Sequence, residues 1–145
     1  MSKSILCVCL GNICRSPTGE ALMRAALPRA RMDSAGTADW HVGKSPYGPM
    51  QAAARERGYD LSAQRARQVT AEDFYSFDLI LAMDSSNLEN LRAIRPADAT
   101  AKLSLYLEPL EGAPRDVPDP YYTRDFDGVL MLIEQAAQAW AKRLR

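Results

Sequence analysis

The 145-residue sequence has no long apolar run, no internal repeat, no low-complexity tract and no linker-like stretch. Those absences argue against membrane insertion and extended disorder. Net charge is missing too: 18 Lys and Arg balance 18 Asp and Glu. No overall field therefore draws the chain to nucleic acid or an anionic membrane, although a local anion site is unaffected. Cysteine is scarce, and Cys7, Cys9 and Cys14 lie within eight residues. An odd number so clustered makes a poor disulfide framework and fits a reducing compartment with a reactive thiol. There is a single histidine, His41, and one residue separates Cys7 from Cys9, so the spacing of a structural zinc site is not met and no metal is implied. Met1-Ser2-Lys3 runs directly into the short apolar stretch Ile5 to Leu10, too brief for a signal sequence with a cleavage site. A cytoplasmic location is expected.

What is present reads as an ordinary globular chain, 47% hydrophobic and 25% charged, of a length that suits one domain over residues 1–145. Ser4 to Cys9 is apolar on both faces, as in a buried parallel strand, and runs into Gly11-Asn12. Ser16-Pro17 has the form of an N-cap followed by a proline at the first helical position, opening a helix that Pro28 closes. Arg31 to Ala35 predicts a second strand stopped by Gly36. Pro49 to Arg57 predicts a helix with Gly58 as its stop. Phe77 to Met83 predicts the strongest strand. Asp84-Ser85-Ser86 caps a helix through Leu88, Leu91 and Ile94 that ends before Pro96. Ala101 to Leu105 predicts a shorter fourth strand, and the proline-rich Glu108 to Asp119 a long surface loop. Phe126, Val129, Leu130, Ile133, Ala137, Trp140 and Leu144 fall on one face of a final helix. Alternating strands and helices predict a doubly wound, mainly parallel α/β sheet, with its ligand site outside the carboxyl ends of the strands.

The segment Cys9-Leu10-Gly11-Asn12-Ile13-Cys14-Arg15-Ser16 lies at such an end. A loop of this length between a strand and a helix can curl its backbone amides inward as an anion nest, reinforced by the helix N-terminus. Gly11 and Asn12 tolerate the left-handed backbone that a tight cradle needs. Arg15 offers a planar fork for two phosphate oxygens. Beside these positive groups Cys9 is expected to be a thiolate at neutral pH, and the Ser16 hydroxyl can donate to its sulfur. Attack on phosphorus expels an oxygen that needs a proton. His41 has no motif-like partner near it in sequence, so a carboxylic acid is the expected donor.

Val8 to Pro17 resembles the signature of the low-molecular-weight protein tyrosine phosphatases. The resemblance continues through Asp33-Ser34-Ala35-Gly36-Thr37, Trp40-His41-Val42-Gly43, Ala66-Arg67-Gln68-Val69-Thr70, Glu72-Asp73-Phe74, Met83-Asp84, Asn87-Leu88 and Asp119-Pro120-Tyr121-Tyr122. It implies a three-layer α/β sandwich with a four-stranded parallel sheet flanked by helices and a phosphate loop after the first strand. It implies Cys9 as nucleophile, Arg15 as phosphate clamp and Asp119 as general acid. Leu10, Gly11, Asn12, Ile13, Cys14 and Ser16 form or support the loop that binds substrate. Trp40 and Tyr121, with Tyr122, wall the substrate cleft, and both tyrosines are candidate phosphorylation sites. The partners it implies are a tyrosine-phosphorylated protein and a cognate tyrosine kinase, with inorganic phosphate as product and no cofactor. The chain departs from the family pattern at Tyr47-Gly48-Pro49 and at Thr123-Arg124-Asp125, which bears on selectivity at the cleft rim.

Three other readings are weaker. Gly43-Lys44-Ser45 has part of a nucleotide-binding P-loop, but Ala38 occupies the position of its first glycine. A thioredoxin-coupled arsenate reductase shares the fold and loop but needs further cysteines downstream, and none follows Cys14. A simple phosphate-binding module requires neither Cys9 nor Asp119.

Overall fold

The computed structural model describes residues 3–145; Met1 and Ser2, where the N-terminal reading begins, lie outside them. The strands are β1 (Ser4–Cys9), β2 (Arg31–Gly36), β3 (Leu79–Ala82) and β4 (Lys102–Leu105). The helices are α1 (Arg15–Ala26), α2 (Gly48–Glu56), α3 (Asp73–Ser76), α4 (Ser85–Ile94), α5 (Pro120–Thr123) and α6 (Phe126–Leu144). The strands form one sheet in the order β2-β1-β3-β4, every pair parallel. From β1 the chain winds first to β2 and then crosses to β3 on the other side, so the winding reverses between β1 and β3. A crevice opens at such a reversal, at the carboxyl ends of the two strands.

Side chains alternate across a strand, so β1 feeds two cores at once. Ile5, Cys7 and Cys9 face one side with Leu79, Leu81 and Met83, under Leu22 and Met23 of α1 and Val129, Leu130, Ile133 and Trp140 of α6. Leu6 and Val8 face the other with Ile80 and Ala82, under Phe74, Phe77, Leu88 and Leu91. Each large apolar side chain so buried contributes about 1.5–3 kcal/mol. The result is helices on both faces of a parallel sheet, as the resemblance implied. Among the described residues no helix is long and apolar enough to cross a membrane.

Several boundaries differ from expectation. Helix α1 starts at Arg15, one residue before the expected cap; Cys14 holds the cap position without a side-chain hydrogen bond. Ser16 is turned inward instead, with its hydroxyl 3.0 Å from the Cys9 sulfur. Pro17 then sits in the first turn, where backbone N–H groups have no helical acceptor, and costs the helix nothing. The strand expected over Phe77 to Met83 keeps only Leu79–Ala82, because the Phe77 N–H is taken by Asp73 as the end of α3. The short α3 and α5 were not expected. Asp84 does cap α4, accepting from the Asn87 N–H.

At the end of β2, Gly36 lies opposite Cys9. A Cβ there would stand 2.7 Å from the Leu10 carbonyl oxygen and 3.2 Å from that of Ala38. Both are backbone atoms of paired segments and cannot yield cheaply. Gly36→Ala is therefore expected to cost about 1–3 kcal/mol of stability through this overpacking, read as a lowered urea midpoint at unchanged m-value.

Candidate active site

Beyond Cys9 the chain leaves β1 and curls through Leu10 to Cys14 before entering α1. Three carbonyls of this loop are bonded outside it: Cys9 accepts from Thr37, Leu10 from Ala38 and Ile13 from Tyr47. Asn12 makes the turn with a left-handed backbone at φ 57°, as expected. Gly11 does not share that conformation. Its need for glycine is contact with His41, whose Cδ2 would lie 2.9 Å from an added Cβ.

The Asn12 side chain makes three hydrogen bonds. Nδ2 donates to Ser16 Oγ at 2.7 Å and to Ser34 Oγ at 3.0 Å, and Oδ1 accepts from the Arg67 N–H at 3.0 Å. Donor counting gives these bonds a direction. Ser34 is free to pass its own proton to Glu20 Oε1 at 2.8 Å. Ser16, already accepting from Asn12, can donate to the sulfur at 3.0 Å. The Asn12 N–H adds a second donor to Cys9 Sγ at 3.3 Å. The Arg67 guanidinium holds its own segment in place through Asp73 and Asp33.

Arg15 is almost wholly buried, with 3% of its side chain exposed. Its Nη1 donates to Asp84 Oδ2 at 2.7 Å and to the Val117 carbonyl at 3.0 Å. Its Nη2 stands 3.5 Å from Asp119 Oδ2. Burial alone would lower the guanidinium pKa, but Cys9, the Asp84 hydrogen bond and the Asp119 charge outweigh it and leave the pKa raised. The two oxygens of Asp84 divide their work, Oδ2 holding Arg15 and Oδ1 capping α4. Asp119 is divided likewise: Oδ1 caps α5 by accepting from the Tyr121 N–H at 3.0 Å, and Oδ2 faces Arg15. Asp116 is not in the cleft; its Oδ1 accepts from Ser85 N and Oγ and ties the 108–119 loop to the start of α4.

These groups line a cleft of about 260 Å³ formed by Cys9, Leu10, Gly11, Ile13, Cys14, Arg15, Trp40, His41, Asp119, Tyr121 and Tyr122. Trp40, Tyr121 and Tyr122 stand exposed at its mouth. Two residues expected to bind substrate, Asn12 and Ser16, do not line it. They are buried behind the loop because their polar atoms are spent on Ser34, Arg67 and the Cys9 sulfur. His41 was missed, since its partner is the side-chain-free face of Gly11, which no spacing rule reveals. Asp84 was foreseen only as a helix cap. Cys14 is buried, and that burial, followed by the charges of Cys9 and Asp119, pushes its thiol up to about 12. Among the described residues no three His, Cys, Asp or Glu side chains gather to hold a metal ion.

A parallel α/β sheet whose first strand delivers a thiol to a buried guanidinium, with a carboxylate opposite, defines a narrow class of protein. Residues 4–145 match the family described as low molecular weight phosphotyrosine protein phosphatase, and the chain belongs to that family of hydrolases. It is 39% identical over 142 residues to the low molecular weight protein-tyrosine-phosphatase YfkJ of Bacillus subtilis, covering 93% of this chain and 91% of that one. The solved structure of YfkJ superposes with a TM-score of 0.92, at 36% identity over 99% of this chain and 95% of that one. A protein tyrosine phosphatase from Entamoeba histolytica, solved with Hepes in its active site, also gives 0.92, at 34% identity over 99% and 97% of the two chains.

The double duty of Asp84 separates two substitutions. Asp84→Asn keeps a good cap but removes the charge facing Arg15. Asp84→Ala loses both. Breaking a fully buried pair costs about 3–5 kcal/mol; Asp84 is 19% exposed, so about 1–3 kcal/mol is expected for Asn. Alanine should cost about 1 kcal/mol more, the worth of a cap. Equal denaturant midpoints for the two variants would contradict the capping role.

Proposed function

We propose that residues 1–145 act as a single cytoplasmic phosphatase domain that hydrolyses phosphotyrosine and aryl phosphate monoesters through a phosphocysteine intermediate. The observation that carries this reading is the convergence of the Cys9 sulfur, the Arg15 guanidinium and the Asp119 carboxyl on one cleft. Cys9 attacks phosphorus in line, forming the S–P bond as the ester P–O bond breaks. Arg15 and the loop amides other than that of Asn12 stabilise charge on the equatorial oxygens. The outward bonding of the Cys9, Leu10 and Ile13 carbonyls supports amides that face the phosphate.

Asp119 Oδ2 gives its proton to the departing oxygen. In the second step the Asp119 carboxylate takes a proton from water, the water oxygen bonds to phosphorus, and the S–P bond breaks to release inorganic phosphate. Ser16 Oγ–H and the Asn12 N–H stabilise the departing thiolate. Trp40, Tyr121 and Tyr122 hold the aryl group between apolar faces. The physiological substrate is then a tyrosine-phosphorylated protein, and its partner a tyrosine kinase that makes the phosphoester.

Turnover of p-nitrophenyl phosphate in excess chelator, abolished in Cys9→Ser, tests the chemistry; strict dependence on an added metal, or arsenate reduction in its place, would overturn it. The acid is tested through the leaving group, because the phenolate of tyrosine, with an unperturbed pKa near 10, needs a proton more than nitrophenolate does. Asp119→Asn should slow the phosphorylation step about 10²- to 10⁴-fold for phosphotyrosine and clearly less for nitrophenyl phosphate in pre-steady-state kinetics. The same loss for both substrates would reject Asp119.

Cys14 lies on the same short loop as Cys9, and after oxidation of Cys9 to a sulfenic acid the Cys14 sulfur displaces water from it and closes a protective disulfide. Mild peroxide should inactivate the parent reversibly, and Cys14→Ser should recover less activity on thiol treatment. Equal recovery would remove that role.

A further inference from the structure

Two stretches remote in sequence, Tyr47-Gly48-Pro49 and Thr123-Arg124-Asp125, meet in the folded chain. Arg124 Nη1 donates to the Tyr47 hydroxyl at 3.0 Å. The guanidinium carbon lies 5.4 Å from the centre of the Tyr47 ring and 5.1 Å from that of Phe126. Tyr47 itself packs on the cleft wall, its ring 5.1 Å from that of Tyr121, and its N–H is bonded to the Ile13 carbonyl of the Cys9–Arg15 loop. A cation is thus mounted on an aromatic shelf one ring beyond the place proposed for the substrate's phenyl group.

Arg124 adopts a left-handed backbone at φ 65°, a conformation disfavoured for any residue with a Cβ. Its N–H closes the last turn of α5 on the Pro120 carbonyl at 2.8 Å. The side chain is exposed and makes no ion pair among the described residues. Both hydrogen bonds it donates come from Nη1. The Nε–Nη2 edge is therefore left for a planar acceptor, and that edge matches the two oxygens of a carboxylate. The charge also reaches the loop, where it opposes the effect of burial on the Cys14 thiol.

We propose that Arg124 is a specificity-determining residue that selects phosphotyrosine peptides carrying an acidic side chain close to the phosphotyrosine, which it binds through its Nε–Nη2 edge. The proposal rests on the phosphatase reading above. An extended peptide advances ~3.3–3.6 Å per residue, so a glutamate within a few positions of the phosphotyrosine reaches a cation one ring beyond the wall. Tyr47 is the positioning residue: its hydroxyl and ring fix which edge of the guanidinium faces outward.

The test compares kcat/KM for two phosphotyrosine peptides that differ only by Glu or Gln at the flanking positions, in the parent, Arg124→Asn and Arg124→Lys, with p-nitrophenyl phosphate alongside. Asparagine tolerates the left-handed backbone and removes the charge. Lysine keeps the charge without the fork. The parent should prefer the Glu peptide about 2- to 5-fold at low salt, the range of an exposed ion pair. The preference should reside in KM and shrink as salt screens the pair. Arg124→Asn should bring the ratio of the two peptides to about one, whatever its absolute rate, and Arg124→Lys should retain part of it. A parent ratio of one, or a ratio preserved in Arg124→Asn, overturns the proposal while leaving the phosphatase reading intact. Failure to hydrolyse p-nitrophenyl phosphate overturns the phosphatase reading and this proposal together.

Discussion

The left-handed turn at Asn12 is the constraint from which the site's geometry propagates. A non-glycine residue at φ 57° is stable only where its surroundings over-determine it, and here they do. The Asn12 side chain is bonded to two serines and to the Arg67 backbone, and its own N–H points at the Cys9 sulfur. Asn12 donates to both serines, which leaves the Ser34 proton for Glu20 and the Ser16 proton for the Cys9 sulfur. Loss of Asn12 or of either serine leaves a buried polar group unpaired, at about 1–3 kcal/mol. The loop is held from behind, and its front is left for a ligand.

Arg15 is held on a different principle. Its partners Asp84 and Val117 come from the segment after β3 and from the 108–119 loop, so the guanidinium is fixed by parts of the chain remote from its own helix. The reversal of winding between β1 and β3 makes this possible, because it sets the carboxyl ends of the two strands side by side. Asp116, bonded to Ser85 next to Asp84, ties the loop that carries Asp119 to the same place. Three loops therefore share a common anchor at the start of α4.

Local rules read the fold well wherever one physical signal dominated. The apolar run of β1, the Asp84 cap and the periodic face of α6 were all visible in the residues. The motif from Cys9 to Arg15 was legible because its strand, loop and helix context is continuous in sequence. What escaped were pairings that depend on the turn of the chain in space. Ser16 has the residue type of a cap, yet a buried sulfur claimed its hydroxyl. Gly11 has the residue type of a left-handed turn, yet its missing side chain serves the approach of His41. Asp84 was seen as a cap and not as the counter-ion of Arg15, since 69 residues separate the two. The contact between Tyr47 and Arg124 joins two segments 77 positions apart, which no local rule connects.

Cys9 precedes Asp119 by most of the described residues, and α1, which the loop leads into, packs against α6, which follows Asp119. On the ribosome the proposed nucleophile emerges well before the carboxylate that would complete it. The face of α1 that α6 covers also waits until α6 has been made. A nascent chain therefore carries its thiol uncoupled from the proposed acid until the 108–119 loop has been made.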